Sequence, residues 1–183
     1  MSDEDVIAAM RKWIEKAVIG LNLCPFAKAV YVKNQVRYVV SHAQHLDGFL
    51  EDLDRELDFL AAADPEEIDT ALLIHPTLLP DFLDFNDFMQ LAEAAVGEHG
   101  LDGVIQIASF HPAFQFEGTE PDDIGNFTNR APYPTLHLLR EASIERAVAA
   151  FPEAETIYER NIATLKSLGH AGWAALWATP PRT

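Results

Sequence analysis

Residues 70–76 read TALLIHP, and residues 106–112 read QIASFHP. Each stretch is a short, largely apolar run that ends in a His-Pro pair. Such a run predicts a strand buried on both faces, and proline, which has no N–H to donate, ends the hydrogen-bonded ladder. His75 and His111 are therefore predicted to end two buried strands. If these strands are parallel, both histidines lie at the carboxyl edge of a sheet, where ligands bind in open α/β folds.

Helical and strand-like periodicities alternate around these two runs. Helices are predicted over residues 3–21, 42–63, 81–96, 135–150 and 153–168, and strands over 29–33, 36–41, 70–74, 103–110 and 113–117. The first two strands are expected to pair as a hairpin. The pattern predicts the α/β (or α+β) class, as a single domain over residues 1–183. We expect a three- to five-stranded mixed sheet covered by about five helices.

The net charge of −16 comes from one central block of the chain. Sixteen acidic residues, and no Lys or Arg, lie between Arg55 and Arg130. A protein that binds nucleic acid or an anionic membrane through its charge needs a basic surface, so the sequence argues against both partners. Cys24 is the single cysteine, which fits a reducing compartment. The acidic start MSDEDVIAAM is unlike a signal peptide, so a cytoplasmic location is expected.

The two His-Pro histidines allow a metal-binding interpretation. His75, His111 and a carboxylate such as Glu117 are the residue types that bind Zn²⁺ or another divalent ion. Their spacing matches no compact metal motif, so a divalent metal is an optional cofactor in this prediction. In the alternative interpretation, each histidine caps a strand end and forms hydrogen bonds with a loop.

A long segment without periodicity, residues 118–134, is predicted to be a binding loop. It carries Asn126, Asn129 and Arg130, and arginine binds carboxylate or phosphate groups in a bidentate manner. These three residues are predicted to bind the substrate. The alternative is that Arg130 neutralises the neighbouring Asp122 and Asp123.

The helix predicted to begin near Thr135 would place His137, Arg140 and Glu141 on one face, because they are three and four residues apart. Glu141 could then hold His137 in one tautomer. The alternative is an exposed ion pair on a helix surface. Cys24 follows the first helix, where it is either a nucleophile or a buried, inert side chain. The electronegative end of a helix favours the inert role.

Three stretches carry a family resemblance: GLNLCPFAKAV (residues 20–30), SFHPAFQFEG (109–118) and NFTNRAPYPTLHLLRE (126–141). They resemble a bacterial family of uncharacterised proteins, domain of unknown function family 1415. The resemblance implies a bacterial origin and a shared site, and it assigns no activity. The residues that match are Cys24, Pro25, His111, Gln115, Asn126, Asn129, Arg130, His137, Arg140 and Glu141. Gln115 and Arg140 thereby join the predicted substrate-binding residues.

Two functional hypotheses follow from these residues. In the first, the protein is an enzyme acting on a small polar metabolite, with His111 and His137 as general base and acid. Glu117 or Glu141 would orient one of the two histidines. In the second, the protein is a non-catalytic module whose acidic surface docks a basic partner protein. A third account is that the acids only keep the protein soluble.

Overall fold

A four-stranded mixed sheet lies at the centre of the computed structural model, which describes residues 1–178. The strands are β1 (Val36–Val40), β2 (Thr70–Ile74), β3 (Ile105–Phe110) and β4 (Thr135–Arg140), in the order β1-β2-β4-β3. β1 is parallel to β2, and β4 is antiparallel to both β2 and β3. β2 and β3 therefore run in the same direction on either side of β4. The α/β class and a mixed sheet of three to five strands are confirmed.

Helices cover both faces of this sheet. They are α1 (Asp3–Trp13), α2 (Ala27–Val32), α3 (Leu46–Ala62), α4 (Phe82–Glu98), α5 (Glu141–Ala150) and α6 (Ile157–Trp177). A π-helical segment, Ile14–Ile19, continues α1, and 3₁₀ turns occupy Ile124–Asn129 and Ala154–Thr156. Within residues 1–178, no helix is long and apolar enough to cross a membrane. The predicted single domain, residues 1–183, extends over residues 179–183, which lie outside the described part.

Two apolar layers pack on opposite faces of the sheet because side chains alternate along each strand. Ala71 and Leu73 of β2 face α3 and α4, where Phe49 and Phe85 are fully buried. Leu72 and Ile74 face the other layer, which α1 supplies through Val6, Met10 and Trp13. All five residues of β2 are buried. The prediction that TALLI forms a strand buried on both faces is confirmed.

The largest correction concerns residues 135–140, which were predicted to begin a helix and instead form β4. Leu136 and Leu138 are fully buried against α3 and α4, so the apolar period here is two. The segment TLHLLR also has a leucine at 139, which makes the helical and strand periods hard to separate. The strand is favoured because β4 lies between β2 and β3. There it supplies hydrogen-bond partners for backbone groups of both strands.

The predicted hairpin of residues 29–33 and 36–41 is also wrong. Residues 27–32 form α2, and β1 pairs with β2 in parallel. Residues 113–117 form no strand, because the Phe114 N–H turns back to the carbonyl of His111. The start of the helix predicted over residues 42–63 is corrected as well. The Ser41 hydroxyl bonds to Asp52, and α3 begins later, at Leu46.

The last helix runs past its predicted end at residue 168. Gly169 adopts φ 67°, a backbone conformation that favours glycine, and the helix continues beyond this kink to Trp177. Trp173 then packs edge-on against Phe127 of the 3₁₀ turn, with ring centroids 5.3 Å apart. The kink therefore brings the end of α6 onto the long loop.

Candidate functional site

Both His-Pro histidines are satisfied by backbone groups. His75 Nδ1 accepts from the N–H groups of Thr77 (3.2 Å) and Leu78 (2.8 Å), and its Nε2 donates to the Ala43 carbonyl at 2.9 Å. Burial lowers the pKa of His75, which favours the neutral ring that this pattern requires. His75 thus adopts the alternative role, that of a strand-end cap.

His111 repeats this arrangement at the end of β3. Its Nδ1 accepts from the Ala113 N–H and its Nε2 donates to the Leu79 carbonyl, both at 2.9 Å. The residue is completely buried, and burial lowers its pKa. Both ring nitrogens are occupied, so His111 has no free nitrogen for a substrate or a metal ion. The general-base role predicted for His111 does not fit this geometry.

The sheet separates His111 from the second predicted catalytic histidine. The His111 ring lies 5.1 Å from that of Phe85, on the α3 and α4 side. The His137 ring lies 5.9 Å from that of Phe110, on the α1 side. An acid/base pair of His111 and His137 is therefore not assembled, because the two side chains are on opposite faces.

The predicted metal set is not assembled either. His75 and His111 have both ring nitrogens hydrogen-bonded, and Glu117 is exposed on the loop. Across residues 1–178, no three His, Cys, Asp or Glu side chains come together as a metal-binding group. The optional metal predicted at His75, His111 and Glu117 does not fit this geometry.

The predicted loop residues hold the loop in place. Asn126 is fully buried; its Oδ1 accepts from the Phe116 N–H at 2.9 Å, and its Nδ2 donates to the Glu120 carbonyl at 2.8 Å. Gln115 donates to the carbonyl of Thr119. Asn129 donates to the Ser109 carbonyl at 3.3 Å. These amides replace the backbone ladder that the irregular segment lacks.

Arg130 is fixed within the same loop. Its Nε donates to the Phe114 carbonyl at 3.1 Å, and Nη2 donates to the Pro121 carbonyl. The guanidinium lies 4.2 Å above the Phe127 ring. No carboxylate within residues 1–178 forms an ion pair with it, so the alternative of neutralising Asp122 and Asp123 does not describe its contacts.

The predicted helical face of His137, Arg140 and Glu141 does not exist, because the first two residues belong to β4. An even and an odd position of a strand point to opposite faces. Arg140 Nη2 donates to the carbonyls of Ala63 (3.1 Å) and Ile68 (2.9 Å). Glu141 begins α5, and its N–H donates to the Val104 carbonyl. Neither side chain is placed to orient the His137 ring.

One cavity of about 350 Å³ separates the β4 face that carries His137 from the helices above it. We call it the sheet cavity. Two rows of paired residues across the sheet form its floor. One row contains Gln106, Leu139, Thr70 and Val36, and the next contains Ala108, His137 and Leu72. Its roof includes Trp13, Ile14, Val18, Cys24, Phe26, Val30, Tyr31, Ile144 and Ala147. Ala108 is small and pairs directly with His137, which leaves space beside the imidazole.

The hydrogen bonds of His137 define its tautomer. The Thr70 hydroxyl donates its proton to the Leu138 carbonyl at 2.6 Å, because a carbonyl can only accept. Thr70 Oγ1 must then accept from His137 Nε2, which lies 2.8 Å away. Burial lowers the pKa of His137 to about 4, so the ring is neutral near pH 7. His137 Nδ1 is left as an acceptor that has no partner within residues 1–178.

The cavity has few other polar groups. Asp69 Oδ1 accepts from the Ser143 hydroxyl at 2.6 Å, and Gln106 is exposed on β3. Cys24 lines the roof, and burial raises the pKa of its thiol. A raised pKa keeps Cys24 protonated and disfavours a nucleophilic role. Most of the remaining lining is aliphatic or aromatic, so the site is suited to an apolar ligand with localised hydrogen bonding.

Of the predicted site residues, His137 and Cys24 line the sheet cavity, and most of its wall was not predicted from the sequence. Thr70 and Gln106 belong to predicted apolar strands, and a polar residue inside such a run is the signal that could have identified them. Asp69 and Ser143 carried no recognisable motif. The wall assembles from β2, β3, β4 and three helices, so no local spacing could reveal it.

A sequence model described as "Protein of unknown function (DUF1415)" matches residues 5–175, and the chain belongs to this family. No curated protein and no solved structure matches the chain. The three stretches that carried the resemblance fall in different places. Residues 20–30 contribute to the roof of the sheet cavity, residues 109–118 contain the His111 cap, and residues 126–141 include β4.

Proposed function

We propose that this member of the DUF1415 family binds a small, largely apolar molecule in the sheet cavity. The carrying observation is His137, a neutral imidazole in an apolar wall whose Nδ1 has no protein partner within residues 1–178. A ligand hydroxyl or N–H that donates to Nδ1 would satisfy this acceptor. Apolar contacts would supply affinity, and the single hydrogen bond would supply orientation.

Thr70 supports this proposal as a positioning residue. It holds the imidazole through Nε2 and is itself held by the Leu138 carbonyl. The ring can therefore neither rotate nor present the other tautomer without breaking a hydrogen bond within the protein. Such a fixed acceptor selects for a ligand that donates, since a ligand that only accepts would leave two lone pairs facing each other.

The proposal is one of binding, and it differs from the acid/base enzyme expected from the sequence. A histidine whose pKa is about 4 is a weak base near pH 7, and His111 lies on the opposite face of the sheet. None of the other predicted catalytic residues therefore faces His137 as a second titratable group. The proposal also includes a location for the protein. This location is a reducing bacterial cytoplasm, as expected from the single cysteine and the family resemblance.

The proposal can be tested with 2-naphthol and its methyl ether, which differ by one hydrogen-bond donor. Calorimetry should show that the wild-type protein binds 2-naphthol about 10-fold more tightly than the ether, as one buried hydrogen bond allows. His137→Phe should abolish this preference, because phenylalanine has no acceptor, while ether binding persists. Equal binding of both probes to the wild type would contradict the role of His137.

A matched pair of variants tests whether the probes bind in the sheet cavity. Ala147 lines the sheet cavity, whereas Ala149 lies on the same helix, α5, and is exposed. Ala147→Phe should fill part of the cavity and weaken the binding of both probes, and Ala149→Phe should leave binding unchanged. If neither probe binds the wild type, or if the two variants behave alike, the sheet cavity is not the binding site.

A further inference from the structure

A second cavity, of about 320 Å³, lies between α1, the long loop and the end of α6. We call it the tryptophan cavity. Its walls include Trp13, Trp173, Trp177 and Phe127, and two cationic side chains, Lys12 and Arg130. The kink at Gly169 places both tryptophans of α6 after the bend. The cavity thus combines flat aromatic surfaces with positive charge.

The charge of the tryptophan cavity is opposite to that of the chain as a whole. The chain has 13 basic and 29 acidic residues, yet no acidic side chain lines this cavity in the part that the structure describes. Lys12 and Arg130 form no ion pair with any carboxylate among residues 1–178. Two uncompensated cations at one cavity attract an anion and repel a cation.

Arg130 is held by hydrogen bonds that leave one nitrogen of its guanidinium without an acceptor among residues 1–178. Nε and Nη2 donate to the Phe114 and Pro121 carbonyls, while Nη1 has no protein acceptor among residues 1–178. The stacking of the guanidinium on Phe127 fixes its plane. A carboxylate that approached Nη1 would meet a donor that is already oriented, which reduces the entropy lost on binding.

Trp13 adds an independent observation. Its side chain is buried, with 3% of the residue exposed, and its indole N–H has no hydrogen-bond acceptor among the described residues. Trp13 lies in the wall of both cavities. Buried donors are nearly always paired in folded proteins, so the unpaired indole N–H makes Trp13 an exception beside the tryptophan cavity.

From these contacts we propose that the tryptophan cavity binds a planar aromatic carboxylate. Its carboxylate would lie between Lys12 and Arg130, and its ring would pack among Trp173, Trp177 and Phe127. This site is separate from the sheet cavity and does not depend on the function proposed there. The sheet cavity favours a hydrogen-bond donor, whereas the tryptophan cavity favours an anionic acceptor.

The probes for this proposal are 1-naphthoate and the uncharged 1-naphthamide, which have nearly the same shape. Calorimetry at low ionic strength should give naphthoate an affinity about 10-fold higher than naphthamide, as charge-assisted hydrogen bonds predict. Lys12→Glu should lower naphthoate affinity by about 10-fold or more. Lys16→Glu is the matched control, because Lys16 is exposed, lines neither cavity and carries the same change in net charge.

Two outcomes of the charge comparison would overturn the proposal. One is equal affinity for naphthoate and naphthamide, and the other is an equal effect of Lys12→Glu and Lys16→Glu. Ala147→Phe, which obstructs the sheet cavity, should leave naphthoate binding unchanged. If Ala147→Phe removes naphthoate binding and Lys12→Glu does not, the anion binds in the sheet cavity and the assignment to the tryptophan cavity is wrong.

Discussion

His137, His75 and His111 share a lowered pKa, and burial is the first cause in each case. Their hydrogen bonds distinguish them. His75 and His111 have both ring nitrogens bonded to backbone groups, whereas His137 has only Nε2 bonded, to Thr70. A buried histidine is therefore a ligand-binding candidate only where one nitrogen remains free, which cannot be read from residue type alone.

The lowered pKa of His137 predicts a loss of stability in acid. The unfolded imidazole binds a proton near pH 6.5, while the folded one binds it near pH 4. Between these values the unfolded state holds more protons, so the free energy of unfolding falls as pH falls. This single group should contribute a loss of about 2 kcal/mol between about pH 7 and about pH 5.

Urea unfolding of the wild type and of His137→Gln at both pH values measures this contribution. The variant should lose about 2 kcal/mol less than the wild type on acidification, because glutamine does not titrate. His45→Gln, the same substitution at an exposed histidine, serves as the control. An identical acid response in His137→Gln and wild type would contradict the lowered pKa of His137.

Among the secondary-structure elements, α3 and α4 are joined by a charged contact at one end. His99, just after α4, places Nδ1 2.8 Å from Asp58 and Nε2 2.9 Å from Asp54 on α3. A ring with a carboxylate at each nitrogen must donate from both, so the imidazolium form is favoured. The hydrogen bond to Asp58 is the first cause that raises the pKa of His99.

The contact of His99 with Asp54 and Asp58 predicts a contribution to the free energy of unfolding that is lost at high pH. Because the folded pKa of His99 is raised, its contribution is fully present below the unfolded value near 6.5 and disappears as pH rises through the folded value. His99→Gln should therefore lower the free energy of unfolding by up to about 1 kcal/mol near pH 5.5, since exposed pairs are screened. Chemical denaturation near pH 9 should show a much smaller penalty. A penalty that is the same at both pH values would show that His99 contributes by packing rather than by charge.

The elements themselves were predictable to different degrees. β2 is an apolar run, and α3 and α4 each have one helical apolar period, so each was located from the sequence. β4 was mistaken for a helix because TLHLLR fits both periods. α2 was mistaken for a strand because AKAVYV is rich in β-branched and aromatic residues. In both cases tertiary pairing and packing override local propensity.

At the level of the whole molecule, the charge of −16 acts on the folded state through repulsion among exposed carboxylates. Ion pairs offset little of it, since Lys and Arg number 13 against 29 acids. Arg37 and Glu56 form a bidentate pair, with N–O distances of 2.7 and 3.1 Å. Docking of a basic partner protein on an acidic surface stays a prediction.

Screening of this repulsion predicts that salt stabilises the protein. Raising NaCl from about 0.01 M to about 0.15 M shortens the Debye length from about 30 Å to about 8 Å. We expect a rise of a few degrees in Tm, from about 1 kcal/mol of relieved repulsion. Differential scanning calorimetry measures it. A Tm that falls with added salt would mean that attractive ion pairs outweigh the repulsion.

The sequence by itself determined the α/β class, the buried strand β2, the helices α3 and α4, and the concentration of acid between Arg55 and Arg130. These follow from periodicity and composition, which are local properties of the chain. Only the tertiary structure decided that His75 and His111 are strand-end caps and that His137 lies on the other face. Only it assembled the two cavities, because their walls come from residues far apart in sequence. A side chain's hydrogen-bond partners depend on which strands pair and which face is covered, and that is fixed only when the sheet forms.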